Sequence, residues 1–405
     1  MTRPSATPAA PRRASLDAVL HYAWHAGVFT AGDAMPAVGL TRSTTIEALD
    51  GLVERGLLRE LSNTRTVGDY SKGRPARRFE LRADAAVVVG LDAGRAHATT
   101  TVADLRGQVL ARQQVALDET HDSADERRAA LAGAVDEALD AAGRGRDDVL
   151  ALCAGVPAPV DAHGASPVHR DGFWRRMNPD LAELFGRWVP IVRIENDASL
   201  AALAEGSRGA AQGRRDYVTL LAGERLGAGV VVDGNLLRGA HGGVAEMVAF
   251  DHVAGVDGAL GLGYRAAHWA REQIAAGALP AGHVLETVPP ERVDGRRVFE
   301  LAAAGDPFAL GIVERVGEML ARIAALFGSL FDPRAIIVSG AVSGRAGAVL
   351  DAARERLPAM LHLPPPELVA SDLGADVVSL GAVSAAVDAA RAGVLDLTGR
   401  HAAAV

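Results

Sequence analysis

Val87-Val88-Val89-Gly90-Leu91-Asp92-Ala93-Gly94 reads as an apolar strand that ends in an acidic, glycine-bearing turn. The chain continues through Thr99-Thr100-Thr101-Val102-Ala103, turns between Asp104 and Gly107, and runs on through Val109-Leu110. A related order returns later. Tyr217 to Leu221 is apolar, Gly223 and Gly227-Ala228-Gly229 form a glycine turn, Val230-Val231-Val232 follows, and Asp233-Gly234 turns into Leu236-Leu237. β-Branched runs bounded by Gly and Asp are strand and turn signals. Strand, hairpin, strand, turn, strand, read twice, predicts two similar α/β halves with a cleft between them. Helical regions near 124–142 and 307–331 supply the layers that cover the sheets. Another apolar strand, 335–338, precedes Ser339-Gly340-Ala341, a place suited to an adenine ring.

The 405 residues carry a net charge of −8, with 49% apolar and 23% charged residues. At roughly 150 residues per domain, two or three domains are expected, and the composition argues against a mostly disordered or fibrous chain. No uninterrupted apolar stretch of ~18 residues occurs, so no membrane span is expected. A single cysteine, Cys153, excludes an internal disulfide framework and a multi-cysteine metal cluster, and fits a reducing cytoplasm. Residues 1–14 are Pro, Ala, Ser, Thr and Arg with little to bury. They read as a disordered tail and not as a signal peptide.

Charge is unequally shared. Residues 1–85 hold 12 Lys/Arg and nine acids, so +3 sits on the head and −11 on the body. A basic head on an acidic body points to a nucleic-acid partner. Residues 15–82 scan as one small domain. Leu16, Val19, Leu20, Ala23 and Trp24 have helical spacing. Thr30 is placed to cap a second helix and Thr41 a third, with Thr44-x-x-Glu47 as an alternative capping box. Gly39 turns the chain between them, Gly56 ends the third helix, and strands start at Leu57-Leu58 and run over 78–81. Helices joined by a tight turn and followed by a hairpin make a winged helix-turn-helix, which presents the N-terminal end of its third helix to the major groove. Arg42, Ser43, Thr44 and Thr45 occupy that end. Lys72, Arg74 and Arg77 lie on the wing, where Gly73-Arg74-Pro75 suits a minor groove or phosphates. A protein-interaction module that never touches DNA is the bland alternative.

In the body, residues 86–395, facing glycine hairpins suit phosphate binding because backbone N–H groups approach an anion closely. Asp92, Gly94, Gly223 and Gly227 mark them. Ile194-Glu195-Asn196-Asp197-Ala198 leads into an Ala-rich helix. Asn196 and Asp197 read equally well as polar cleft residues, with Asp197 able to take a proton from a sugar hydroxyl, or as a helix N-cap. Glu246, after Gly239-Ala240-His241-Gly242-Gly243, is placed to accept sugar hydroxyls or to lie as a plain surface carboxylate.

From about Leu16 to Ala390 the chain resembles the ROK family (repressor, open reading frame, kinase). The resemblance is carried by the winged helix, Gly73-Arg74-Pro75, Asp92-x-Gly94, Gly155-Val156-Pro157-Ala158-Pro159-Val160-Asp161, Glu195-Asn196-Asp197-Ala198 and Arg238-Gly239-Ala240-His241-Gly242. It implies an α/β fold: the N-terminal winged helix-turn-helix, then a duplicated actin-like (RNase H-type) domain in two lobes. It also implies a homodimer or dimer of dimers, and a sugar in the interdomain cleft. Family members with the DNA-binding head are mostly sugar-responsive repressors, and those without it mostly sugar kinases.

Departures from the family pattern separate these classes. Ala96 stands where the kinases have Thr, and Gly223-Glu224-Arg225 stands for Gly-Thr-Gly. A carboxylate ~4 Å from phosphate oxygens repels by several kcal/mol. Ala249 replaces a His, the segment 255–263 lacks the expected cysteines, and Tyr264, Arg265 and Ala266 stand where a second sugar-binding Glu is expected. His252 and His268 alone make no zinc site. The expectation is a cytoplasmic DNA-binding repressor of sugar-metabolism genes, controlled by a sugar-like ligand at Asn196, Asp197 and Glu246, with operator DNA as partner. No metal, cofactor, membrane contact or kinase activity is expected, and Asp197 is then a vestigial base. The alternatives are an ATP-dependent sugar kinase using Asp197, or a ligand-independent DNA-binding protein with a dead cleft.

Overall fold

Two threonines start two of the three helices of the head. In the computed structural model, which describes residues 13–62, 76–118, 123–168 and 170–397, the chain opens with α1 (Arg13–His25), β1 (Phe29–Thr30), α2 (Ala31–Val38) and α3 (Arg42–Glu54). Thr30 and Asp33 form a reciprocal capping box on α2, and the Thr41 hydroxyl accepts the Thr44 amide at the start of α3. Of the two capping readings for α3, the structure uses Thr41. Gly39, at φ +66°, ends α2 in the left-handed conformation that glycine adopts freely. α1 begins at Arg13, so the last two residues read as tail are helical. β2 (Leu58–Leu61) and β3 (Arg78–Leu81) complete a three-stranded antiparallel sheet with β3 in the centre. The short strand β1 had no signal in the sequence. Lys72 and Arg74 fall outside the described residues.

The first lobe contains β4 (Val87–Ala93), β5 (His97–Asp104), β6 (Val109–Ala116), α4 (Ala124–Ala141) and β7 (Val149–Val156). The short helices α5 (Phe173–Met177) and α6 (Leu181–Gly186) then lead to β8 (Ile191–Asn196). α7 (Asp197–Arg208) crosses into the second lobe, built from β9 (Tyr217–Ala222), β10 (Leu226–Val232) and β11 (Asn235–Leu236). It continues with α8 (Leu262–Ala275), α9 (Gly295–Ala303), α10 (Pro307–Phe331), β12 (Ala335–Ser339), α11 (Gly347–Arg356) and β13 (Glu367–Ala370). α12 (Val377–Gly393) returns to the first lobe.

The duplication is visible in the pairing. The sheets run β6-β5-β4-β7-β8 and β11-β10-β9-β12-β13. In each, the first three strands are antiparallel and the first, fourth and fifth are parallel. Both central strands are almost wholly buried, which is why they read as continuous apolar runs. Asp233 and Gly234, at φ +53° and +76°, form the tight turn between β10 and β11. Gly227 and Gly229 are not in a turn, as the sequence reading had them, but inside β10. Side chains there would run into α7: a Cβ on Gly229 would lie 2.4 Å from the Ala198 carbonyl oxygen.

α12 packs on β4 with backbone contact. A Cβ on Gly90 would lie 2.6 Å from the Ser379 carbonyl and the Val383 amide. The segment 374–396 has the length and hydropathy of a membrane span, but 56% of its apolar window is buried here between α7 and the first sheet. The Trp24 indole donates to the Leu105 carbonyl at 2.8 Å, and Arg106 donates to the Ala26 carbonyl, so the head is docked on the turn between β5 and β6.

Candidate functional site

Three carboxylates converge from separate elements. Asp92 is the penultimate residue of β4 and is buried. Asp197 is the first residue of α7, directly after β8, and its carboxylate accepts the Ala198 amide at 2.7 Å. Glu246 arrives on the second-lobe loop after β11 and is exposed. Burial, then the Asp92 carboxylate and more weakly Glu246, push the Asp197 carboxyl up to about 7, against the Ala198 amide. Asp92 also faces His97, with Nε2 3.4 Å from its carboxylate, and raises the imidazole above its usual range. The structure therefore brings Asp92, Asp197 and Glu246 into one field.

Asn196 is the N-cap of α7: its Oδ1 accepts the Ser199 amide at 3.0 Å, and its Nδ2 donates to the Ala158 carbonyl at 3.2 Å. The two readings of the Asn-Asp pair are thus divided between its members. Asn196 caps, and Asp197 holds a carboxylate toward the other two acids. The Ala158 loop after β7 is met by the second lobe at Gly242. A Cβ there would lie 1.9 Å from the Val160 carbonyl oxygen, and the backbone is left-handed at φ +70°. Ala245, just before Glu246, is also left-handed at φ +61°, a costly conformation for a residue with a Cβ.

The two hairpins do face each other. Arg95 of the first donates to the Glu224 carboxylate of the second at 2.9 Å. The second loop is tied to the segment behind it, with Leu226 N–H on the Ala259 carbonyl and Gly261 N–H on that of Glu224. Gly94 sits in the first loop, where buried Arg127 of α4 donates to the Ala93 and Gly94 carbonyls at 2.7 and 2.9 Å. Ser339 is used internally: its hydroxyl donates to buried Glu205 at 2.7 Å.

Buried Glu195 carries no role in the sequence reading. Arg193, two residues away on the same strand face, and Arg238 of the second lobe hold its carboxylate at 2.6 and 2.9 Å. Arg193-x-Glu195 alternation was the available signal, but the long-range partner Arg238 had none. Cys153 on β7 is buried, and burial pushes its thiol up to about 12, so it is no nucleophile.

Where the resemblance implies a zinc motif, the residues present do not fit one. Among the described residues no group of three or more His, Cys, Asp or Glu is arranged to hold a metal. The loop is organised instead by Arg265 of α8, whose Nη2 donates to the carbonyls of Val256 and Asp257 at 2.6 Å and of Gly258 at 3.3 Å.

In the head, Arg42 and Ser43 are exposed and Thr44 half-buried at the start of α3. Thr45 is buried, its hydroxyl bonded back to the Thr41 carbonyl at 2.9 Å. Arg77 is held by Glu60 and Asp50 at 2.7 and 2.8 Å and lies over the Phe79 ring. These bonds, with Glu60 the stronger, raise its proton affinity.

Twin five-stranded lobes around a polar cleft define the actin-like α/β class. Residues 88–389 match the sequence profile of the ROK family, and the chain belongs to that family. Its relatives divide between regulators and kinases. The DNA-binding transcriptional dual regulator NagC of Escherichia coli K12 is 27% identical over 305 residues, 72% of this chain and 71% of that one. The bifunctional enzyme NanE/NanK of Brucella suis is 37% identical over 218 residues, 51% of this chain. The match spans only 39% of that enzyme's length. A ROK family transcriptional regulator described as a homologue of E. coli MLC superposes with a TM-score of 0.75 at 22% identity, covering 96% of this chain and 99% of its own. A ROK family glucokinase from Streptomyces griseus, solved with glucose and AMPPNP, gives 0.62 at 26% identity over 74% of this chain and 99% of its own.

Proposed function

We propose that the protein is a DNA-binding transcriptional regulator, a repressor of sugar-metabolism genes, that binds a palindromic operator as a homodimer and takes a sugar or sugar derivative in its cleft. The observation that carries this reading is the end of α3. A Thr41-capped helix presents exposed Arg42 and Ser43, on a head more basic than the body. The N-terminus of such a helix adds its own positive field for phosphates. In this reading the head is a winged helix-turn-helix, with Lys72 and Arg74 as further DNA contacts. Superposition of the regulator structure over nearly the whole chain, head included, supports it. The ion pair Arg95–Glu224 between the hairpins speaks against phosphates there, and so against nucleotide-dependent catalysis.

A sugar kinase is the second reading, favoured by one observation: a carboxyl at Asp197 brought to about 7 has the proton affinity of a general base. Anisotropy titration of a randomised duplex library at fixed salt, with glucose and N-acetylglucosamine as probes, separates the readings. Selective binding that Arg42→Ala weakens by about 1–3 kcal/mol, and that a sugar alters, supports the regulator. Selective binding indifferent to both sugars supports a cleft that takes neither. No selective binding, with ATP consumed on a sugar and lost in Asp197→Asn, establishes the kinase.

A further inference from the structure

Asn196 and Asp197, the cleft ends of β8 and α7, lie at one end of a continuous packed path that finishes under the head. α7 and α12 cross where Gly381 meets Leu200. A Cβ on Gly381 would lie 2.0 Å from the Leu200 carbonyl oxygen, so the helices touch backbone to backbone. A second tie joins the last turn of α7 to the middle of α12, with the Ser207 and Ser384 hydroxyls 3.2 Å apart. Beyond it, Arg391 Nη1 lies 2.8 Å from His25 Nε2 at the end of α1, and Asp396 pairs with Arg13 at 2.9 Å. One apolar cluster runs unbroken through this path. It includes Leu20 and Trp24 of α1, Ala386 and Ala390 of α12, and Leu200 and Ala204 of α7. α4, on the opposite face of the first sheet, belongs to a separate cluster. The other face of α7 packs on the second lobe at Gly227 and Gly229. Displacement of α7 by rotation of one lobe against the other therefore reaches α12, and α12 carries α1.

We propose that the Leu200–Gly381 contact makes α7 and α12 one lever, which transmits displacement of Asn196 and Asp197 in the cleft to α1 of the head. Close-packed interiors resist gradual deformation and transmit strain. Coupling of this kind needs a contiguous element that both sites bias, and α7 with α12 is that element. As a route for ligand control the lever rests on the regulator reading, but its mechanical coupling does not.

Hydrogen exchange on the full chain, without DNA or sugar, tests it. Asn196→Ala removes the α7 cap at the cleft end, and Gly381→Ala drives the two helices apart at the crossing. The expected result is severalfold faster amide exchange in α7, α12 and α1, with α4 unchanged. Adding Arg106→Ala and Arg391→Ala, which removes two polar ties of the head junction and leaves Trp24 on Leu105, makes the α1 response to Asn196→Ala smaller. Either variant that accelerates α7 but leaves α1 at its wild-type rate overturns the proposal. So does a pair of variants that leaves α7 itself unmoved. Should Gly381→Ala fail to fold, Asn196→Ala decides alone. Intact coupling in a chain that binds no operator refutes the regulator reading and leaves the lever standing.

Discussion

Arg95 and Glu224, 129 positions apart, form an ion pair of 2.9 Å that links the glycine hairpin of one lobe to that of the other. In the sequence Glu224 stands beside Arg225; in the fold it is Arg95 that holds its carboxylate. The pair occupies the space between two loops whose duplication suggests a phosphate site. Both side chains are more than half exposed, at 64% and 56%, so water and salt screen them. Glu224→Ala is expected to change the unfolding free energy by less than about 1 kcal/mol, with the difference vanishing in high salt. Denaturant titrations at two ionic strengths measure this, and a large salt-independent loss would contradict it.

Asp197 makes stability depend on pH in a direction opposite to that of an ordinary salt-bridged carboxylate. Its carboxyl is raised to about 7 when folded, against about 3.9 in an unfolded chain. Between those values the folded state binds more protons than the unfolded state. Stability from this group is therefore complete below about pH 4 and is lost as pH rises to about 7. Asp197→Asn should flatten that slope and gain roughly 1–2 kcal/mol near pH 8, below the ~4 kcal/mol of a three-unit shift because the cleft admits water. Urea unfolding of both proteins from pH 4 to 8 gives the comparison; parallel curves would remove Asp197 as the titrating group.

Arg265 is 6% exposed and gathers three carbonyls of the loop 256–258. Burial lowers its proton affinity, the expected effect of taking a cation out of water. Deleting the guanidinium leaves those carbonyls without their donor, at about 1–3 kcal/mol for each buried group that water cannot reach. Arg265→Met, which keeps the apolar stem, is expected to destabilise by about 2–4 kcal/mol. Thermal unfolding checks it, with exchange of the 253–261 amides showing whether the loss is local to the loop.

Gly242 carries the contact between the second lobe and the Val160 turn. Its φ of +70° disfavours a side chain, and a Cβ would meet the Val160 carbonyl at 1.9 Å. Gly242→Ala should cost at least ~2 kcal/mol and displace Glu246 from the carboxylate cluster. Ala245→Gly, at φ +61°, should instead be neutral or stabilising by up to about 1 kcal/mol. Measured side by side by chemical denaturation, Gly242→Ala is predicted to destabilise and Ala245→Gly is not. Equal destabilisation would show that the loop tolerates no change for some reason other than its backbone.

Local chemistry made much of the fold legible. Thr30 and Thr41 start their helices as expected, because an N-cap needs only a side-chain oxygen and a free amide two or three residues on. α10 runs over the predicted Pro307–Phe331, capped by Asp306, since a long amphipathic period with Pro at its first turn is a signal within one segment. The site was legible as a set of candidates and not as an arrangement. Asp92, Asp197 and Glu246 were on the page, but neither their shared field nor the capping role of Asn196 was.

What the sequence by itself determined are features with a short range: caps, turns at Gly39 and Asp233-Gly234, buried strands, and a strand order written twice. Tertiary structure alone decided that Gly227 and Gly229 make room for α7 instead of lining a turn, that Arg95 meets Glu224, and that Arg265 collects the carbonyls of its loop. It also decided that the head rests on α12. Each of these depends on which surfaces meet when the lobes close on α7 and α12. A residue's own neighbours carry no record of a partner that many residues away, because the contact is set by packing of whole elements and not by backbone preference.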